Sequence, residues 1–355
     1  MVRPQGAPRK DPVPAPIVTP QQVFARLAQR TGLLGETFHK KRSLQPLVSA
    51  LGGIRGDKLS TAHLALAARL PGYKPASLER ELLEKHSLVR TWNSRGFLNL
   101  VTITELPEFL AAAGAAPRWR RFLETRSKLS PQARLRLLKR LCPENVSKEA
   151  LKAGFPDASM RQVILREAAQ AGNILWKDGE GSGAVFGWTK EMLGKSIAPD
   201  RDYRDVVGRY LASYGPLGAA DLGAWLGVTV AAARQLMAKH HVAQVQVEGW
   251  KEPAFLRPED VDELVAVRKR AAKGLVIVAP GDPLTLAYKT RWRDTEGDDP
   301  PGLVFLDGRK VGSWTLIRSE VGLDLDKDAP ESKISKHIES LLERAGIEAK
   351  ITASA

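Results

Sequence analysis

One local pattern, two or three short helices followed by a two-stranded hairpin, recurs three times along the chain and constrains the fold more than any other feature. In its first occurrence Leu44, Leu47, Val48 and Leu51 share one helical face, and the run stops at Gly52-Gly53, residues that readily end a helix. Helices are expected over 58–70 and 77–86. Two strands, 88–92 and 97–101, then flank an Asn93-Ser94-Arg95-Gly96 turn whose glycine suits a hairpin. The second occurrence opens near Ser147, continues with a helix over 157–171, and closes with strands at 174–176 and 185–188. The third has helices over 205–214 and 219–227, a helix from its Thr229 cap to 239, and strands at 242–247 and 253–257. Helix, short turn, helix and hairpin is the winged-helix order, in which a steep crossing lets one helix enter a DNA groove while the hairpin reaches neighbouring phosphates. Winged helices also serve as protein-contact modules, so the pattern alone leaves an α+β protein that binds no nucleic acid open.

The flanks differ. Residues 1–19 carry five prolines and almost no large apolar side chains, the composition of a disordered basic arm. From Gly274 onward, short strands at 275–279, 284–288, 303–306 and 311–317 precede a helix over 332–345 and a last strand at 347–351. The expected fold class is therefore α+β: three tandem winged helix-turn-helix units plus a small C-terminal β-sheet or partial barrel with one helix. The expected units are 20–116, 147–198 and 199–273, with a basic helical linker at 117–146 and the C-terminal region at 274–355.

Charge decides the class of partner. Lys and Arg outnumber Asp and Glu by 54 to 40, a net charge of +14, which favours polyanions. Between Pro117 and Arg140 nine basic residues, Arg118, Arg120 and Arg121 among them, stand against the single acid Glu124. Leu135, Leu138 and Leu141 give that stretch an apolar stripe, so its arginines can occupy a solvent face. Further clusters are Arg268-Lys269-Arg270 with Lys273, and Lys289, Arg291 and Arg293 around Trp292. Double-stranded DNA is the expected partner. No apolar run approaches the ~20 residues that a membrane span needs, and no signal-peptide core is visible. The single Cys142 excludes an internal disulfide and a multi-cysteine zinc site, and the six histidines are scattered. No metal and no cofactor is called for, nothing argues for a dimer, and a monomer in the cytoplasm, associated with the nucleoid, is expected.

Several segments carry a resemblance. Leu88-Val89-Arg90-Thr91-Trp92 leading through Arg95-Gly96 into Leu98-Asn99-Leu100-Val101 resembles the signature of the AlkZ-like winged-helix DNA glycosylases, with Asn99 where that family commonly has His. Leu51-Gly52-Gly53-Ile54-Arg55-Gly56-Asp57 and the helix after it are similar to the family's active-site segment. Tyr214-Gly215-Pro216 with Trp225-Leu226-Gly227 is similar to its third winged helix. Ala279-Pro280-Gly281-Asp282-Pro283 and Asp307-Gly308-Arg309-Lys310-Val311-Gly312-Ser313-Trp314 resemble its C-terminal sheet. The resemblance implies a monofunctional glycosylase that removes N7- or N3-alkylated purines, with some members unhooking bulky adducts or interstrand crosslinks, and leaves an abasic site. The alternative is a regulatory or architectural winged-helix DNA-binding protein without catalysis.

The family's active site is a Gln-x-Gln or Gln-x-Asp triplet, which falls here on Arg55-Gly56-Asp57. Asp57 agrees with the second form, whereas Arg55 replaces a neutral amide by a permanent cation that only donates. An alkylated purine is already a good leaving group, so what helps is a carboxylate that stabilises the oxocarbenium-like transition state and orients water. Arg55 either keeps that carboxylate ionised or cancels its charge in an ion pair. Asp57 also precedes a helix, where a capping role is the competing reading. Arg55 is expected to contact phosphate or tune Asp57, and Arg95, Arg118, Arg120, Arg121, Lys289 and Arg291 to contact DNA. His63, Trp92 and Trp314 are read as packing residues.

Overall fold

The structure is a computed structural model that describes residues 14–34, 43–93, 95–115, 118–268, 272–288, 292 and 299–352. Three three-stranded sheets and one five-stranded sheet organise it. In the first, the central strand Leu98–Thr102 pairs with Leu88–Trp92 on one side and with the two-residue strand Ile54–Arg55 on the other, all antiparallel. The second places Val185–Trp188 between Asn145–Ser147 and Ile174–Asp178. The third pairs Ala243–Val247 with Ala254–Leu256. Helices precede each hairpin, at Leu44–Ala50, Leu59–Ala67 and Pro75–Glu79, at Ala158–Gln170, and at Arg204–Tyr214, Ala219–Leu226 and Val230–Ala238. The expected starts of two helices are held by their caps: Asp157 accepts from the amides of Ser159 and Met160, and Thr229 from that of Ala232.

The start of the chain departs from expectation. Ile17–Val18, inside the supposed disordered arm, form a strand that adds in parallel to the third sheet, opposite Gln246 and Val247. Thr19 and Gln22 then make a reciprocal capping box for the helix Pro20–Arg30. That helix buries Val23, Phe24 and Leu27 in one core with Tyr210, Leu211, Val245 and Leu256, and buried Arg26 donates to the Gly215 carbonyl and pairs with Asp260 at 2.9 Å. The segment that begins the first expected unit thus packs on the third. Residues 1–13 lie outside the described residues.

The C-terminal sheet runs Leu275–Val278, Gly302–Leu306, Arg309–Ile317, Glu320–Leu325 and Lys350–Thr352, the last pair parallel. The expected strand at 284–288 is instead the helix Pro283–Ala287. Asp282 caps it through the Leu284 amide at 2.8 Å and proline occupies its first turn, so backbone chemistry overrides the apolar run. The helix Glu331–Ala345 lays Ile334, Ile338, Leu341 and Leu342 against the core that holds Leu64 and Leu66. Trp92 stacks on Phe186 at 4.7 Å and joins the first two sheets, while Trp314 is buried and donates to the Val278 carbonyl.

Candidate active site

The site forms where the chain leaves the edge of the first sheet. Ile54 and Arg55 pair with Leu100 and Asn99, and the Gly56 amide donates to the Leu98 carbonyl at 2.8 Å, so Asp57 is the first residue beyond the sheet. A side chain at position 56 would sit 3.2 Å from Leu100 Cγ, which suits glycine there. The approach to the strand is fixed from outside. Gly52 and Gly53 adopt φ of 62° and 94°, Tyr214 donates its hydroxyl to the Leu51 carbonyl at 2.8 Å, and the Trp225 ring lies close over Gly52. Beyond Asp57 begins the helix Leu59–Ala67, whose far end is anchored by Arg69. Arg69 and Asp282 form a fully buried two-point ion pair at 2.7 and 2.8 Å, and the same guanidinium donates to the carbonyls of Thr31 and Ala65.

Arg55 does not point at solvent. Its Nε and Nη2 hold the two carboxylate oxygens of Asp57 at 2.6 and 2.9 Å, and its Nη1 reaches Asp299 at 2.8 Å. Its guanidinium lies 4.3 Å above the Phe97 ring. Burial alone would favour loss of the charge, but the hydrogen bonds and charge of Asp57, with Asp299 behind them, outweigh it and hold Arg55 more firmly protonated than usual. Asp57 keeps 30% of its side-chain surface exposed against 6% for Arg55, so the carboxylate is the member of the pair that a substrate can reach.

The competing reading of Asp57 as a helix cap is not what the structure shows. Lys58 occupies the cap position without a side-chain hydrogen bond, and the first amide of the helix, Leu59, donates to Glu180 Oε1 at 2.6 Å from a loop 121 residues away. His63 on that helix shares a 2.6 Å hydrogen bond between its Nδ1 and the Tyr73 hydroxyl, and burial holds its pKa below the usual value. Arg90 is fully buried beneath the site, with its guanidinium 4.0 Å from the Trp176 ring and its Nη2 3.4 Å from the Asp57 carbonyl. Its Nε and Nη1 find no hydrogen-bond partner, and burial pushes its pKa down to about 10.

Beside Arg55 lies a cavity of about 50 Å³, lined among others by Arg95, Phe97, Asn99 and Trp225. Asn93 shapes it: its side-chain oxygen accepts from the amides of Arg95 and Phe97 at 3.0 Å each, and its amide nitrogen donates to Asn99. Arg95, half-buried, extends over Phe97 at 5.4 Å and so shares the cavity with Arg55.

The remaining expected contacts divide. Arg118 and Arg120 lie on the helix Arg118–Arg126, but their side chains are outside the described residues, as are Lys289 and Arg291 entirely. Arg121, Lys128, Arg136 and Arg140 are exposed. Arg134 is not on the solvent face: it is buried and holds Glu167 at 2.6 and 2.7 Å. Lys139 pairs with Glu191 at 2.6 Å. Among the described residues no helix is long and apolar enough to cross a membrane, and no cluster of three His, Cys, Asp or Glu side chains could hold a metal ion.

Sequence reasoning singled out Arg55, Asp57 and Arg95 but missed Asp299, Arg90 and Glu180. Asp299 sits in an acidic stretch with no pattern of its own, and Glu180 reaches the site only through tertiary folding. Arg90 lay within the recognised hairpin, where an arginine in an otherwise apolar strand was the available signal.

Comparison with known proteins agrees with this architecture. A model of the DNA glycosylase AlkZ-like family matches residues 48–355. The chain is 26% identical over 342 residues to an interstrand DNA cross-link repair glycosylase of Streptomyces sahachiroi, covering 85% of this chain and 89% of that protein. Its fold is similar to the DNA glycosylase AlkZ of Streptomyces sahachiroi, with a TM-score of 0.74, 21% identity, and coverage of 94% of this chain and all of that one. With the family matched from before the active-site segment to the end of the chain, the protein belongs to the AlkZ-like DNA glycosylases.

Proposed function

We propose that the protein is a DNA-repair glycosylase that hydrolyses the N-glycosidic bond of N7- or N3-alkylated purines in duplex DNA and leaves an abasic site. The observation that carries this reading is Asp57: an accessible carboxylate, held in one orientation by Arg55 at the edge of the first sheet, in a chain of a glycosylase family. The three helix-and-hairpin segments are read as winged-helix units that together line a basic channel, with the exposed Arg121, Lys128, Arg136 and Arg140 on phosphates. Arg95 contacts the backbone near the lesion.

The chemistry follows from the leaving group. The alkylated purine carries positive charge, so its bond to the sugar C1′ breaks with both electrons leaving on the base, which departs neutral. Charge develops on the sugar ring, and a carboxylate beside it lowers that barrier. Asp57 then orients water for addition at C1′, and the excess proton passes from the water to the carboxylate or to solvent. Arg55 serves as the positioning group: its fork fixes both oxygens of Asp57 and leaves their outer lone pairs to sugar and water.

The relative that repairs interstrand crosslinks raises the same activity for this chain. Asp57 keeps 30% of its side-chain surface exposed and lies outside the lining of the small cavity beside Arg55, which suits a lesion too bulky to enter a closed pocket. The test is incubation of purified protein with duplex DNA containing N7-methylguanine, followed by alkali. Strand breaks at the modified guanine are expected; tight binding without release of any alkylated base overturns the reading.

A further inference from the structure

A glycosylase that relies on Asp57 has a local conflict to resolve. An aspartate two residues before a helix's first free amide is well placed to accept from it, as in an Asx turn. Asp57 stands in that relation to Leu59, yet its oxygens are on Arg55. The amide is taken instead by Glu180 Oε1, at 2.6 Å.

Glu180 is placed there by a built loop. Asp178 and Gly179 end the strand Ile174–Asp178, Gly179 adopts φ 70°, and a Cβ at that position would lie 2.3 Å from the Gly183 carbonyl oxygen, so only glycine fits. The Trp176 indole donates to the Gly179 carbonyl at 2.7 Å and tightens the turn. The same Trp176 ring packs against Arg90, whose Nη2 approaches the Asp57 carbonyl. The second hairpin therefore meets the Asp57 segment directly at the helix start, through Glu180, and indirectly behind the Asp57 backbone, through Arg90 of the first hairpin.

We propose that Glu180 is a positioning residue for the glycosylase reaction: it caps the Leu59 amide in place of Asp57, and so leaves the Asp57 carboxylate to Arg55 and the substrate. This rests on the reading of Asp57 given above. It also ties the site to the second hairpin, because any displacement of that loop returns the Leu59 amide to Asp57 and draws the carboxylate away from the sugar.

The experiment compares wild type, Glu180→Ala and Glu180→Gln by single-turnover base release at saturating protein, DNA dissociation constant and crystal structure. Glu180 is exposed, so both variants are expected to melt close to wild type. Glu180→Ala is expected to slow base release by about 10- to 100-fold without weakening DNA binding, as misplacement of a reacting group does. Glu180→Gln keeps an oxygen that accepts from the same amide and is expected to restore most of the rate. Release as slow in the Gln variant as in the Ala variant would assign the effect to charge and overturn the proposal, as would an Ala variant as fast as wild type. The structure of Glu180→Ala is expected to show the Asp57 carboxylate on the Leu59 amide; an Asp57 unmoved on Arg55 overturns the proposal independently of activity. Should wild type release no base, the functional reading alone fails, and that structure still decides the role of Glu180.

Discussion

The Arg55 guanidinium grips the Asp57 carboxylate at two points, Nε on Oδ1 at 2.6 Å and Nη2 on Oδ2 at 2.9 Å. A fork fixes the plane of a carboxylate as a point charge cannot. Arg55→Lys keeps the positive charge but gives up one of the two hydrogen bonds and the stacking on Phe97. Base release is expected to fall by about tenfold, with DNA affinity unchanged, in single-turnover kinetics. A Lys variant with the wild-type rate would show that charge alone suffices.

Much of the fold was legible in the sequence, and the reasons are specific. The hairpin Leu88–Trp92 with Leu98–Thr102 was legible because two short runs rich in β-branched, aromatic and aliphatic residues flank an Asn-to-Gly turn, so composition and turn chemistry agree. The segment Leu284-Thr285-Leu286-Ala287-Tyr288 misled because a short apolar run looks alike in strand and helix, and the deciding signal was the preceding Asp282-Pro283. The strand Glu320–Leu325 escaped notice although Val321, Leu323 and Leu325 alternate along it, because the residues between them, Gly322 and Asp324, are types depleted in strands and common in turns. Ile17–Val18 is too short to have a period at all, and its pairing depends on a strand more than 220 residues away. At the site, Arg55 and Asp57 lie close in sequence and could be read together. Glu180, 121 residues from Leu59, could not.

The Arg69–Asp282 pair joins the helix after Asp57 to the C-terminal region, and neither side chain is exposed. Removing one partner strands the other charge in the interior. Asp282→Ala is expected to destabilise the protein by about 3–5 kcal/mol, the loss of the Leu284 cap adding to it. Chemical denaturation measures this; a loss below about 1 kcal/mol would mean that water reaches Arg69.

His63 imposes a pH dependence whose sign is fixed by burial. Its folded pKa lies below the ordinary 6.5, so between 6.5 and the folded value the unfolded chain binds a proton that the folded chain does not. Its contribution to stability is therefore present above pH 6.5 and is lost as pH falls from there through the folded value. His63→Gln, which can still meet the Tyr73 hydroxyl, is expected to flatten the fall of the melting temperature over that window. An unchanged slope would assign the acid sensitivity to other groups.

The exposed arginines of the two helices Arg118–Arg126 and Pro131–Leu141 predict a steep salt dependence of DNA binding. Replacing Arg121, Arg136 and Arg140 together by Ala is expected to weaken binding to any duplex alike. The slope of log affinity against log salt is expected to fall by about one for each phosphate that is no longer neutralised. A slope equal to that of wild type would remove this face from the DNA path.

The most direct measurement is base release by Asp57→Asn beside wild type on duplex DNA carrying N7-methylguanine. Asn keeps the shape and a hydrogen-bonding oxygen but not the negative charge that faces the developing cation. Single-turnover release is expected to fall by about 10²- to 10³-fold, with DNA affinity and melting temperature close to wild type. An Asp57→Asn variant that releases the base at the wild-type rate would contradict the assignment of Asp57 as the carboxylate that stabilises the reaction.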